Sequence, residues 1–339
     1  MTIVKNTCWT IQERPIGREV RESDFALEER AVRDLEDGDI LLKARMFGFD
    51  PTQKSWMSNM AGYAAPTQIG DIMPGRAIAE VVESRDPAFA PGDRVRGHLG
   101  WQMHPVVRAA QLEKISPGVN DENALSILGS SGRTAYFGLV HVGMPRPGDV
   151  LLVSGAAGAI GSIVGQLGKI AGCRVIGIAG TQEKCDWIVN ELGFDGAINY
   201  RTDDVAAQLD ALCPDGIDIF FDNVGGAILD LALARISYGA RVVICGGISN
   251  YERDMSKPED LPGGPKNYLR LTIQNATMKG YLVHYFSDYN KVADARLERW
   301  VSEGRLSHRQ DIQTGFENIP ATFQRIFKGL NIGKQLLRV

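Results

Sequence analysis

The chain's strongest chemical signal lies between Val150 and Gly161. An apolar run, Val150 to Val153, enters a turn of small residues, and Ala156, Gly158, Ala159, Ile160 and Gly161 carry that turn into a helix. The helix is marked by Ile163, Val164, Leu167 and Ile170, which repeat at helical spacing. A strand, a tight turn and a helix N-terminus together make an anion site, because free backbone N–H groups and the helix dipole both favour negative charge. Small residues let the backbone approach a pyrophosphate closely. Against the fingerprint Gly-x-Gly-x-x-Gly, the match here is Ala156-x-Gly158-x-x-Gly161, with alanine at the first position. The expected ligand is a dinucleotide.

The second strand, residues 174–179, decides which dinucleotide. An acid at its end would bind the ribose 2′-hydroxyl of NAD. The chain instead reads Ile178-Ala179-Gly180-Thr181, with Lys184 one helical turn on. A missing carboxylate and a nearby cation favour the 2′-phosphate of NADP, with Thr181 and the Gly180 backbone as further donors and Arg201 approaching from the side. In the opposing reading, Glu183 takes the ribose and Lys184 is a solvated helix charge.

The elements that must position these residues alternate. Helices expected at 182–192, 203–212 and 227–236 precede apolar strands at 196–200, 217–222 and 240–245. Such alternation implies an α/β fold, a doubly wound parallel sheet of Rossmann type. Residues 1–128 read differently. Short strands at 39–44, 78–82 and 93–96, punctuated by Asp37-Gly38 and Pro91-Gly92-Asp93, suggest a mostly β domain of barrel character. A helical pattern over 121–141 would bridge into the nucleotide domain, taken as 129–300. The tail, 301–339, has a strand at 311–315, a helix from Asn318 and a strand at 335–339, and is expected to return to the first domain. Residues 250–268 form a Gly/Pro-rich loop, either a lid or a surface excursion.

At 339 residues, about two domains are expected. A composition of 44% hydrophobic and 23% charged residues is that of an ordinary globular protein, and a formal net charge of −4 offers nothing to nucleic acid or an anionic membrane. With no apolar run near twenty residues and no signal peptide in the N-terminal residues, the default is a cytoplasmic enzyme. The five cysteines, Cys8, Cys173, Cys185, Cys213 and Cys245, contain no Cys-x-x-Cys, and the five histidines form no His-x-x-x-His pair. Neither a disulfide framework nor a zinc site is expected.

Several segments together resemble a known family. They are Gly132-Arg133-Thr134-Ala135-Tyr136, the turn Ala156 to Ser162, Asn199-Tyr200, Phe221-Asp222-Asn223-Val224-Gly225-Gly226, Cys245-Gly246-Gly247-Ile248-Ser249-Asn250-Tyr251, Gly315-Phe316-Glu317-Asn318 and Asn331-Ile332-Gly333-Lys334. The chain resembles the zinc-free medium-chain dehydrogenase/reductases over nearly its whole length. Within them it is most similar to the prostaglandin reductase, curcumin reductase and alkenal double-bond reductase group. The resemblance implies a GroES-like domain beside the Rossmann domain, and hydride transfer from NADPH to the β-carbon of an α,β-unsaturated ketone or aldehyde. It also implies a donor where the enolate charge develops, and no metal. Tyr251 matches the group's Ile-Ser-x-Tyr tyrosine, a phenol that can hydrogen-bond the enolate oxygen; the alternative is a packing tyrosine. Lys184 and Tyr200 match adenine-end positions. Asn223 matches a residue near the nicotinamide ribose, Asn331 one reaching the cofactor from the tail, and Cys245, Gly246 and Ser249 lie in a cofactor-lining segment. Asp50 begins an Asp-Pro motif, and Tyr63 resembles a pocket-wall tyrosine of the curcumin-reductase branch.

The departures bear on the substrate. Glu252 follows Tyr251 where the group has Asn, and Thr52-Gln53-Lys54 follows Asp50-Pro51 where it has Tyr-Met-Arg. Ser130 and Arg133 make the segment before the fingerprint more polar. Arg133 either pairs with a substrate carboxylate or phosphate, or faces away from the pocket. Trp56, Met57 and Met60 either wall an apolar pocket or belong to the core. Rival readings are an NADPH-dependent quinone oxidoreductase and a non-catalytic cofactor-binding relative. A homodimer is the family expectation, with the apolar run 280–286 either an edge strand that pairs across a two-fold axis or an internal strand.

Overall fold

The computed structural model of the chain describes residues 5–59, 62, 64–254, 257–261 and 263–339. Two compact units emerge, one built from Met1–Ser126, Glu252–Asp254 and Gln310–Val339, the other from Ile127–Tyr251 and Met255–Arg309. Among the described residues no helix is long and apolar enough to cross a membrane.

In the first unit β1 (Lys5–Ile11) pairs antiparallel with β2 (Phe25–Ala31). Strand β3 (Asp39–Gly48) leads into a short helix, α1 (Thr52–Met57), at Pro51, whose fixed φ suits a helix entry. Strands β4 (Arg76–Ser84), β5 (Arg94–His98), β6 (Val106–Arg108) and β7 (Leu112–Lys114) follow. Helix α2 (Asp121–Leu125) is capped by the Asn120 side chain, which accepts from the Asn123 amide at 2.8 Å.

The second unit opens with α3 (Ser130–Tyr136), which widens into π-type turns over Phe137–Gly143. Then β8 (Val150–Ser154), α4 (Gly161–Ile170), β9 (Arg174–Ala179), α5 (Gln182–Asn190), β10 (Gly196–Asn199), α6 (Val205–Leu212), β11 (Ile217–Asp222), α7 (Gly226–Leu233) and β12 (Ile236–Ile244) alternate. Helix α8 (Arg270–Ile273), β13 (Thr277–Gly280) and α9 (Asn290–Ser302) complete the unit. The six strands run parallel in the order β10-β9-β8-β11-β12-β13. The order reverses between β8 and β11, and in such sheets ligands bind beyond the carboxyl ends of the strands at that point. Strands β8 to β12 carry the buried apolar residues of this sheet: Leu152, Ile176, Ile198, Phe220 and Val242 are all buried in one cluster.

The chain then returns to the first unit with β14 (Gln310–Thr314), α10 (Ile319–Phe327) and β15 (Lys334–Arg338), giving the sheet β14-β15-β3-β4-β5-β7 with β6 on β3. Leu337 of β15 lies opposite Phe47 of β3, and Phe323 of α10 packs edge-on against Trp101 at 5.4 Å. The tail therefore supplies core to the first unit.

The α/β class and the alternating strands are as the sequence implies. Two expectations need correction. The helical pattern over 121–141 is broken at 126–129 and ends in the wider turns, where Gly138 lets the Tyr281 ring approach; a Cβ there would lie 2.2 Å from the Tyr281 hydroxyl. The strand expected at 280–286 is instead β13, Thr277–Gly280, at the sheet edge, followed by 3-10 turns over Val283–Tyr289. Apolar content there serves packing against α3 and its extension. The Tyr281 hydroxyl donates to the Thr134 carbonyl at 2.8 Å, and Phe286 stacks on Phe137 at 4.9 Å.

Helix α4 lies close to its neighbours at Gly165, where an added Cβ would fall 1.8 Å from the Phe194 ring. Gly165→Ala is expected to destabilise the protein by about 1–3 kcal/mol through overpacking, read as a lower midpoint in urea unfolding.

Candidate active site

The small-residue turn after β8 is built as an anion cradle. Gly155 takes a left-handed backbone, φ +59, which sends the chain sharply from β8 towards α4. A Cβ on Gly161 would lie 2.4 Å from the Gly155 carbonyl oxygen, so the helix starts against the turn itself. The Ser162 amide bonds the Gly158 carbonyl at 3.1 Å, and those of Ile163 and Val164 bond Ile160. The amides of Ala159, Ile160 and Gly161 find no acceptor among the described residues, which leaves them for a ligand. The turn's first glycine is thus Gly155, not a position filled by Ala156. Ala156 is wholly buried, and its amide bonds the Ile178 carbonyl at 3.0 Å, tying the turn to β9.

At the end of β9, Thr181 caps α5: its hydroxyl accepts from the Lys184 amide at 3.3 Å and keeps a proton to donate. Tyr200 is half exposed and lies over Gly180, where a Cβ would be 2.9 Å from the ring. The Arg201 guanidinium sits 5.8 Å from the Tyr200 ring centre. Gly180, Thr181, Lys184, Tyr200 and Arg201 thus gather at one corner of the second unit, a surface with hydroxyl and cationic groups where an NAD site would have its acid.

Beyond the switch point, a carboxylate organises the carboxyl edge. Asp222, wholly buried, accepts from the Ser154 hydroxyl at 2.7 Å, the Val224 amide at 2.9 Å and the Gly225 amide at 3.0 Å. Burial pushes its pKa above the usual carboxylate range, opposed by those three donors. Its carbonyl accepts from the amides of Cys245 at 2.9 Å and Gly246 at 3.1 Å. Asn223 is clamped on the β8 end, its amide on the Ser154 hydroxyl at 2.8 Å and its side chain on the Ser154 carbonyl at 2.7 Å. Ser249 donates its hydroxyl to the Val224 carbonyl at 2.6 Å, and the Tyr251 amide closes a 3-10 turn on Ile248 at 3.2 Å. Asn223, Cys245, Gly246, Ser249 and Tyr251 therefore hang from one laced segment in the unit that carries the turn. The hub residues Asp222 and Ser154 were not among the expected site residues. The available signal was an acid following the apolar run Ile219-Phe220-Phe221 at the end of β11.

Arg133 is corrected. Its Nε and Nη2 bond the two oxygens of Asp294 on α9 at 2.8 and 2.7 Å, so the chain supplies its own carboxylate there. Ser130 merely starts α3.

In the first unit, Asp50 forms an ion pair with Lys334 of β15 at 2.5 Å, and its amide donates to Gln53 Oε1 at 2.8 Å. Burial would push the Asp50 carboxyl up, but Lys334, with Arg76 and His98, outweighs it and holds the group below its ordinary value. The Trp56 ring is buried 5.6 Å from the His98 ring. Asn331 donates to the Gly333 carbonyl at 2.8 Å, shaping the turn before β15. Tyr63 and Met60 lie outside the described residues.

Residues 7–115 match the family described as the N-terminal domain of oxidoreductase, and residues 159–298 that described as zinc-binding dehydrogenase. The chain is 41% identical to the putative NADP-dependent oxidoreductase YfmJ of Bacillus subtilis (strain 168), covering 97% of this chain and 96% of that protein. It is 37% identical to the NADPH-dependent curcumin reductase of Escherichia coli (strain K12), covering 99% and 97%. The chain belongs to the zinc-free medium-chain dehydrogenase/reductases. The crystal structure of CurA from Vibrio vulnificus in complex with NADPH matches this oxidoreductase with a TM-score of 0.91 at 32% identity, over 98% of this chain and 99% of that one. Among the described residues no three His, Cys, Asp or Glu side chains are grouped as metal ligands would be.

The cysteines are set against reactivity. Burial pushes Cys245 up to about 12, and Cys173 and Cys213 to about 11, and raises Cys8 and Cys185 as well. At pH 8 all five are expected to stay as thiols. An aromatic disulfide reagent should titrate essentially none in the native oxidoreductase and all five after denaturation.

Proposed function

We propose that this oxidoreductase reduces the C=C bond of α,β-unsaturated ketones or aldehydes with NADPH. The observation that carries the reading is Tyr251, placed on the segment strung from Asn223 and Val224 at the carboxyl edge, in the same unit as the Gly155–Gly161 turn. Two relatives named for such chemistry, curcumin reductase and prostaglandin reductase 1 of Oryctolagus cuniculus, are each 37% identical to the chain and support the substrate class.

The residues fit the cofactor. The open amides of Ala159, Ile160 and Gly161 would bind its pyrophosphate, with Gly155 and Gly158 keeping the approach clear. Lys184, Thr181, Gly180 and Arg201 would take the 2′-phosphate and Tyr200 the adenine side. Asn223, Cys245, Gly246 and Ser249 would line the nicotinamide end. When bound, NADPH supplies the hydride. As the β-carbon receives it, the electrons of the C=C bond move onto the carbonyl oxygen, and the Tyr251 hydroxyl donates to that oxygen as its charge grows. The α-carbon then takes a proton from water, which leaves the saturated ketone. Asp50 and Trp56 would belong to the substrate pocket, and Asp50 is kept charged by Lys334.

The test is NADPH consumption with a panel of enones, enals and quinones, with products identified. Tyr251→Phe is expected to lower kcat on enones about 10²-fold while NADPH still binds. Lys184→Ala should weaken NADPH about tenfold with NADH unchanged. Turnover of quinones alone would replace this reading, and binding without any turnover would remove catalysis.

We also propose a homodimer through the edge of the parallel sheet. Strand β13 is exposed along its length, and Tyr238, Leu269, Ile273 and Tyr285 of the same unit are exposed large hydrophobics. Light scattering should give twice the chain mass, and Met278→Asp on that edge the single-chain mass.

A further inference from the structure

Cys245 is the first residue beyond β12 and Tyr281 the first beyond β13. The two strands pair in parallel with Ile244 opposite Gly280, so both residues leave the carboxyl edge of the sheet side by side. The Tyr281 hydroxyl oxygen lies 2.8 Å from the Thr134 carbonyl oxygen and 3.4 Å from Cys245 Sγ. A phenol has one proton and a carbonyl can only accept, so that proton goes to Thr134. The Cys245 thiol then donates its own proton to the phenol oxygen. The outcome is a directed chain of hydrogen bonds, from thiol to phenol to carbonyl. Burial keeps both donors protonated, lifting the phenol well above its usual value and the thiol to about 12.

The three partners come from separate elements of the second unit. Thr134 sits on α3 shortly before the helix widens at Phe137, and wide turns of this kind are frequent at functional sites. The widened helix passes the phenol at Gly138, where an added Cβ would also fall 2.7 Å from the Phe221 ring of β11. Phe221 precedes Asp222, whose carbonyl accepts from the Cys245 amide at 2.9 Å. Cys245 is thus held by its amide on β11 and by its thiol on Tyr281. Alone among the cysteines it is only half-buried, which leaves part of it open to a ligand at that edge.

We propose that Tyr281 is a positioning residue for the nicotinamide ring: its hydroxyl draws the Cys245 side chain towards α3 and so sets the surface on which the ring rests. Tyr281 acts through Cys245, and the inference rests on the reading of Cys245 and Gly246 as lining the nicotinamide end. The cofactor's phosphates would bind after β8 and β9, which lie beyond β11 in the strand order. Losing the hydroxyl should therefore disturb hydride geometry and leave phosphate binding alone. A misplacement of about 1 Å can cost up to 10²-fold in rate.

The test uses Tyr281→Phe and Cys245→Ala, alone and together, with NADPH and a simple aliphatic enone, or a quinone if the enone is not reduced. NADPH deuterated at the transferred hydride gives the primary isotope effect, and 2′-phospho-ADP-ribose, which lacks the nicotinamide, probes binding. Tyr281→Phe is expected to lower kcat about tenfold, to raise the isotope effect and to leave the Kd of 2′-phospho-ADP-ribose unchanged. Cys245→Ala should behave alike, Cys245→Ser should keep most of the rate, and the double variant should be no slower than Tyr281→Phe. In the ligand-free protein the infrared S–H stretch of Cys245, assigned by its loss in Cys245→Ala, should move to higher wavenumber in Tyr281→Phe. An unmoved stretch, wild-type kcat and isotope effect in Tyr281→Phe, losses that multiply in the double variant, or weaker binding of 2′-phospho-ADP-ribose each overturn the proposal. The reading beneath it fails separately. If residue 245 lines the nicotinamide, the bulkier Cys245→Leu weakens NADPH and spares 2′-phospho-ADP-ribose, whereas wild-type affinity for both removes the segment from the site and the positioning role with it.

Discussion

A carboxylate buried away from water is costly unless donors meet it, and Asp222 meets its donors through this arrangement. Its oxygens need the Ser154 hydroxyl from β8 and the Val224 and Gly225 amides from the turn after β11. Satisfying it therefore locks together the two strands that flank the reversal of strand order. Its backbone carbonyl extends the same lock to Cys245 and Gly246 beyond β12. The candidate nicotinamide-end residues are all strung from this hub, and Asn223 is fixed twice on Ser154. All three donors converge on one oxygen, Asp222 Oδ1, while among the described residues Oδ2 meets only the Gly225 amide at 3.1 Å. The hub thus ties the geometry of the site to the packing of the sheet.

The alternation of apolar strands with helices was readable because the inner strands, such as β8 and β9, are buried and so carry near-continuous apolar residues. The pattern failed where apolar residues serve a different partner. Tyr281 and Phe286 look like strand residues in sequence, but Gly138 removes a side chain and lets them pack on the extension of α3. The glycine pattern misplaced its first member for a related reason. Spacing alone suggests Ala156, whereas the left-handed backbone that turns the chain is at Gly155, and φ is not a property that spacing reveals.

Charges were the least legible part of the site. Arg133 is a plausible anchor for an acidic substrate until Asp294, far along the chain on α9, takes both of its forks. Asp50 has no visible partner in sequence either, and its partner, Lys334, comes from the last strand. Each pairing depends on where the chain returns, which local propensity does not encode. The placement of Thr181 and Lys184 was legible because it is set locally, by the end of β9 and the first turn of α5.

The ion pair of Asp50 and Lys334 also explains why the tail belongs to the first unit. A buried pair contributes little net stability, since desolvation offsets much of its attraction, but breaking it leaves an uncompensated charge. Its value is therefore register. With Lys334 almost wholly buried, β15 can align on β3 only where the ammonium meets Asp50, which puts Leu337 opposite Phe47. A slip of one residue would turn Leu337 outward and strand the charge as well. Asp50 stands immediately before α1, so the same constraint that sets the strand register also fixes the start of the helix bearing Lys54 and Trp56.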